Sequence, residues 1–200
     1  MNETLAKIYL VRHGQTAWSM SGQHTGHTDL PLNEQGESDA GRLNSVLTDV
    51  HFARVFSSPL QRAWRTAELA GFGAVVQSDP DLMEWDYGQY EGRRTADIRA
   101  ERPDWRLFID GCPSGETLAQ VSERAERVVK RVRAQAGDVL VFAHADILRV
   151  MIARWLDLPA EAARHFYLMT ATLTILGYDH DIDEPIIRLL NLDPAIGRVV

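Results

Sequence analysis

The side chains best suited to chemistry in this 200-residue chain stand just after its short apolar runs. Arg12-His13-Gly14-Gln15-Thr16 follows a run ending at Val11, Ser57-Ser58-Pro59-Leu60-Gln61-Arg62 closes another, and His144 follows the apolar stretch 139–143. In open α/β sheets ligands bind beyond the carboxyl ends of the strands, so two histidines and two arginines are expected to converge at one sheet edge. Glu84, within Glu84-Trp85-Asp86-Tyr87-Gly88, is expected to lie across the mouth. The set suits phosphoryl transfer, in which a dianion has to be held and neutralised during in-line attack. Arginine's planar fork binds phosphate oxygens in pairs and keeps its charge. A neutral imidazole is a competent nucleophile near pH 7, and Arg12 and Arg62 disfavour protonation of His13. Glu84 has the opposite need. To protonate an alkoxide leaving group it must carry a proton, and a neighbouring phosphate dianion raises its pKa. His144 is expected to donate hydrogen bonds to the phosphoryl oxygens as charge develops.

These residues meet only on a scaffold that brings them together. Apolar runs of four to six residues alternate with longer helical patterns, the mark of βαβ units on a largely parallel sheet. Strands are predicted at 7–11, 54–57, 74–77, 139–143, 172–178 and 185–192. A helix is predicted from Asn33 as N-cap, with Leu43, Val46, Leu47 and Val50 on one face. Another spans 60–70, started by the Ser58-Pro59 pair, and a further one spans 146–156. Over 116–136, Leu118, Val121, Ala125, Val128 and Val132 step by three and four, an amphipathic pattern. The opposite face, with Glu123, Arg124, Glu126, Arg127, Lys130 and Arg131, reads as solvated and laced with ion pairs. Between 78 and 115, Pro80, Gly88, Gly92, Pro103, Gly111 and Pro113 cut the chain into short pieces, one helical near 95–101. That stretch is read as an insertion covering the site, within a single domain over 1–200.

Composition narrows the class. Hydrophobic residues at 45% and charged residues at 24% exclude a disordered chain, a collagenous one and a disulfide scaffold. Lys plus Arg number 21 against 28 Asp plus Glu, a net charge of −7 that argues against nucleic acid or an anionic membrane as partner. An anionic ligand therefore needs a local basic pocket. Cys112 is the lone cysteine, which favours a reducing compartment. No stretch approaches the ~18 apolar residues of a membrane span, and the run before Arg12 is too short for a signal peptide. A cytoplasmic location is expected. His24-x-x-His27 near Asp29 has a metal-ligand spacing but no second cluster, so substrate contact by His24 or Thr25 is preferred over metal binding. His51 and His165 are read as helix-end or surface residues, Met151 and Trp155 as core. Trp18, Trp85 and Trp105 are read as core, lid or mouth.

Arg12-His13-Gly14 with Thr16, Arg62 within Ser57-Ser58-Pro59-Leu60-Gln61-Arg62-Ala63, Glu84 and His144 resemble, in order, the histidine phosphatase superfamily. The resemblance implies a phosphoglycerate mutase-like fold, a three-layer α/β/α arrangement around a mostly parallel sheet. It implies a phosphohistidine on His13, a pocket of Arg12, Arg62 and His144, Glu84 as proton donor, and neither metal nor other cofactor. The runs Ser21-Gly22-Gln23-His24-Thr25-Gly26, Glu84 to Gly92 and Asp110-Gly111-Cys112-Pro113 are similar to its branch of small acid and sugar-bisphosphate phosphatases. Substrate contacts are accordingly expected from Arg12, Thr16, Ser19, His24, Thr25, Gly26, Arg62 and Ala145. Two departures stand out: Ser19 where many members carry Asn, and Ala145-Asp146 where glycines usually flank the second histidine.

The expected substrate is a small phosphomonoester such as a sugar phosphate or phosphoglycerate. A phosphoglycerate mutase is the alternative, disfavoured because only 60 positions separate Glu84 from His144. A catalytically weak phosphate-binding member is the third reading, motivated by Ala145 and Asp146. A homodimer is left open, since the sequence is silent on oligomeric state.

Overall fold

A computed structural model of the chain describes residues 5–196. Six strands form one sheet in the order β3-β2-β4-β1-β5-β6: β1 (Ile8–Arg12), β2 (Arg54–Ser57), β3 (Gln77–Ser78), β4 (Val139–Ala143), β5 (Leu173–Tyr178) and β6 (Pro185–Leu192). The first four pair in parallel, and β5 and β6 extend the sheet as antiparallel neighbours. The helices are α1 (Ala17–Ser21), α2 (Glu34–Arg42), α3 (Asn44–Leu47), α4 (Gln61–Leu69), α5 (Thr95–Glu101), α6 (Leu107–Asp110), α7 (Leu118–Arg133) and α8 (Ala145–Trp155). This is the mixed α/β architecture expected from the sequence. No helix among the described residues is long and apolar enough to cross a membrane.

Helices cover both sheet faces, and the strands show it. Every residue of β4 is buried and apolar, as a central parallel strand requires. Side chains alternate along β1: Ile8 and Leu10 join one core with α7 and α8, while Tyr9 and Val11 join the other with Leu43, Leu47, Ala67 and Ala70. The stripe Val121, Ala125, Val128, Val132 of α7 is buried, and Thr117 starts that helix with a reciprocal capping box to Gln120.

Several boundaries depart from expectation. The helix predicted from Asn33 to Val50 divides into α2 and α3 at Leu43, whose N–H bonds the Ala40 carbonyl three residues back; the tightened turn re-aims the second piece so that Val46 and Leu47 are buried. Ser58 is not the cap of α4. That helix starts at Gln61, and its first N–H is taken by the Asp29 carboxylate at 2.8 Å. The strand expected at 74–77 is reduced to Gln77–Ser78, because the Val75 and Val76 N–H groups both turn back to the Phe72 carbonyl. The 78–115 stretch is more than a cover. Leu82, Trp85, Tyr87, Tyr90, Ile98, Trp105, Leu107 and Phe108 are built into the same core as α7 and α8. Trp85 and Trp105 are therefore core residues, as are Met151 and Trp155, while His51 and His165 are exposed.

Candidate active site

Strand register assembles half of the site. Arg12 pairs with Ala143 and Ser57 with Phe142, so the residues that follow, His13, Ser58 and His144, emerge side by side at the carboxyl edge. The His13 N–H continues the ladder to the Ala143 carbonyl at 3.0 Å, and that of Ser58 to the Phe142 carbonyl at 2.9 Å. Beyond His13 the chain passes close to the start of α2. A Cβ on Gly14 would lie 2.4 Å from the Gly36 carbonyl oxygen, so glycine is required there.

The His13 ring has one proton, and its neighbour decides where it sits. Nδ1 lies 2.7 Å from the Gly14 carbonyl oxygen, which can only accept, so Nδ1 carries the hydrogen and Nε2 keeps its lone pair. Burial, reinforced by Arg62 and Arg12, holds the imidazole well below its usual pKa and hence neutral. His144 is fixed in the opposite tautomer. Its Nδ1 accepts from Arg62 Nε at 3.0 Å, leaving Nε2–H to donate to Ser58 Oγ at 2.8 Å. The rings of His13 and His144 are 5.1 Å apart, and burial, Arg62 and His13 keep His144 neutral as well.

The two arginines are held differently. Arg12 Nη1 donates to the Leu168 carbonyl at 2.6 Å, while its buried Nε has no partner. Arg62 is fully buried and spends four of its five N–H groups on His144 and on the carbonyls of Thr25, Gly26 and Thr28. In this arrangement it clamps His144 to the 25–28 loop. Thr16 is likewise occupied, its hydroxyl capping α1 in a reciprocal pair with Ser19. Gly26 holds its N–H against the Glu91 carboxylate, and a Cβ there would meet the Trp85 carbonyl at 2.5 Å.

The opposite wall comes from the 78–115 segment and the start of α8. Glu84, 3% exposed, accepts from the N–H groups of Trp85, Asp146 and Ile147 at 3.0 to 3.1 Å. Burial, with the Asp146 charge adding, raises its pKa to about 7, against the opposing pull of those three donors. The segment is tied down by Arg124, which pairs with Glu116 at 2.7 Å and donates to the carbonyls of Asp81 and Met83. Amphipathic periodicity marks Arg124 as solvated, but its side chain is largely buried and links α7 to the loop carrying Glu84. Asp146 also has fixed partners: Tyr87 Oη donates to it at 2.6 Å and Arg149 pairs with it at 2.7 Å. Ala145 occupies the first position of α8 and is not among the residues with left-handed backbone, so its Cβ introduces no strain there.

Arg12, His13, Ser19, His24, Thr25, Glu84 and Ala145 line one cleft of about 180 Å³, joined by Tyr87 and Asp146. Larger grooves lie at 50–55 with 72–77 and beside Pro59 and Trp64, yet neither gathers a histidine, arginine and carboxyl around one point. Within the cleft the His24 ring packs on Tyr87 at 4.7 Å and on Trp105 at 5.6 Å. Among the described residues, groups of metal-ligating type come together only at Asp179, His180 and Glu184 on the exposed β5–β6 turn.

A neutral imidazole, a guanidinium and a carboxyl of raised pKa in one small cleft are the groups that phosphoryl transfer uses. Residues 8–192 match the model of the histidine phosphatase superfamily, branch 1. The chain is 38% identical to an acid phosphatase of Mycobacterium tuberculosis, covering 89% of each, and 33% identical to sedoheptulose 1,7-bisphosphatase of Saccharomyces cerevisiae, covering 92% of each. A solved open reading frame from Mycobacterium tuberculosis superposes with a TM-score of 0.90 at 36% identity, over 94% of this chain and 98% of that one. A mycobacterial glucosyl-3-phosphoglycerate phosphatase, solved with VO3, gives 0.83 at 26% identity over 93% and 99%. The chain belongs to the histidine phosphatase superfamily, branch 1.

Proposed function

We propose that His13 is the nucleophile and Glu84 the proton donor of this phosphoric monoester hydrolase, which acts on small phosphomonoesters through histidine. The observation that carries the assignment is the His13 tautomer: the Gly14 carbonyl takes the Nδ1 proton, so Nε2 presents its lone pair to the cleft that also holds Arg12 and Glu84. In the first step the Nε2–P bond forms and the ester P–O bond breaks, with the Glu84 proton passing to the departing alkoxide. The resulting Glu84 carboxylate then removes a proton from water as its oxygen attacks phosphorus and the P–N bond breaks. Phosphate leaves, and both side chains return to their starting states.

Arg12 is the phosphate-binding cation, with its unpartnered Nε facing no competing protein acceptor. His144, oriented by Arg62, turns its Nε2–H from Ser58 to a phosphoryl oxygen when substrate arrives. Arg62 is a positioning residue whose charge also keeps His13 neutral. Ser19, His24, Thr25 and Ala145 border the leaving group, whereas Thr16 and Gly26 shape the backbone around it. The cleft is smaller than the ~300–1,000 Å³ of drug-sized ligand sites, which supports a leaving group of a few carbons. A reducing, cytoplasmic setting fits a chain with one cysteine, whose thiol burial pushes up to about 12. The test is a trapping experiment: brief incubation with a radiolabelled phosphoester should place acid-labile label on His13. Unchanged phosphate release by His13→Ala would refute the assignment.

A further inference from the structure

The charge inventory of the cleft is lopsided. Among the described residues that line it, Arg12 is the one arginine or lysine, set against the carboxyl groups of Glu84 and Asp146. His13 and His24 are both held below their usual pKa, chiefly by burial. Once Arg12 has engaged the reacting phosphoryl group, no cation lining the wall remains for a second anionic group. Asp146 is moreover locked in place, one oxygen held by Tyr87 and the other by Arg149. Arg149 pairs with this carboxylate but does not itself line the cleft. Its other N–H groups go to the carbonyls of Ala163 and Arg164, and its guanidinium rests 4.4 Å over the Phe108 ring. The cleft wall thus carries the Asp146 carboxylate, while the cation that pairs with it is set back from the lining.

Building on the phosphatase reading, we infer that Asp146 is a specificity-determining residue that selects phosphomonoesters of uncharged alcohols over esters bearing a second anion. A hydroxyl on the leaving group can donate to the Asp146 carboxylate. A carboxylate or second phosphate beside it meets like charge in a poorly solvated wall, an arrangement that suppresses wrong partners.

Two probes isolate the effect, because glycerol 3-phosphate and 3-phosphoglycerate differ only in a hydroxymethyl against a carboxylate. Both are used as racemates, with p-nitrophenyl phosphate as a general ester. The native enzyme should favour glycerol 3-phosphate by roughly tenfold or more in kcat/KM. Asp146→Asn, which keeps the shape and an acceptor for Tyr87, should reduce that ratio about tenfold. Arg149→Gln removes the compensating cation and should raise it, a change of opposite sign that general damage to the site does not produce. A native ratio of one or below, or an Asp146→Asn variant that changes both substrates equally, overturns the inference while leaving the phosphatase reading intact. Absence of phosphate release from all three esters overturns both.

Discussion

The two walls of the cleft are built by different means. The histidine wall is an extension of the sheet: His13, Ser58 and His144 each follow a strand whose neighbours are paired residue by residue, and backbone ladder bonds continue into them. The carboxyl wall has no such frame. Glu84 and Tyr87 stand in a loop stretch held by side chains from distant parts of the chain, Arg124 from α7 and Asp146 from α8. His13, the proposed nucleophile, thus rests on the most regular part of the molecule, and Glu84, the proposed acid, on a set of ion pairs and hydrogen bonds. Positions set by a ladder tolerate loss of packing, whereas positions set by one or two side chains depend on each of them.

Removing the proposed reacting groups should give the largest effects. His13→Ala should lower kcat/KM by on the order of 10⁴ or more with little change in Tm, as phosphate release and thermal melting will show. Glu84→Gln should cost about 10²–10⁴ in kcat for alkyl phosphates and far less for p-nitrophenyl phosphate, whose leaving group needs no proton. The sign of the pH dependence follows from the same residue. With its pKa raised to about 7, Glu84 carries its proton below that pH and loses it above, so alkyl phosphate hydrolysis should fall as pH rises through about 7. Burial holds the pKa of His13 well below its ordinary value, keeping the imidazole neutral on the acid side of that limb. A profile that is flat through neutrality for native enzyme, or identical in Glu84→Gln, would remove Glu84 from its role.

The comparison of the walls is sharpened by two substitutions outside the cleft. Arg124→Ala frees the loop before Glu84 and strands the mostly buried Glu116 carboxylate. It should reduce kcat roughly tenfold, more for alkyl than for p-nitrophenyl esters, and lower stability by about 1–3 kcal/mol. Leu140→Ala, within β4, should cost about 2–5 kcal/mol in denaturant unfolding but alter kcat by less than about threefold at temperatures where the protein is folded. Equal kinetic damage from the two would erase the distinction between ladder-set and side-chain-set positions. The smallest effect should come from chelators: EDTA is expected to leave activity unchanged, since the proposed mechanism takes its charge neutralisation from Arg12 and its proton from Glu84.

The histidine wall was legible in the sequence because its logic is local. A short apolar run predicts a strand, and the residue after it predicts what the sheet edge presents, so His13 and His144 could be found by counting. Arg62 could be found the same way, but its direction could not. Only the folded 25–28 loop supplies the three carbonyls that hold its guanidinium. The same limit applies to α7, where periodicity separates a buried from a polar face but does not show that Arg124 on the polar face reaches loop carbonyls about 40 residues earlier in the chain. Val75 and Val76 read as a strand from their β-branched side chains, and the turn at Phe72 overrode that preference.

By itself, then, the sequence determined the alternation of strands and helices, the identity of the chemical groups and the strand ends that carry them. These depend on side-chain period and on residues adjacent in the chain. Tertiary structure alone decided the tautomers of His13 and His144, the raised pKa of Glu84 and the placing of Asp146 in the cleft wall. Each is a balance between desolvation and particular neighbours brought close by folding, and neither burial nor a partner dozens of residues away is written in local order.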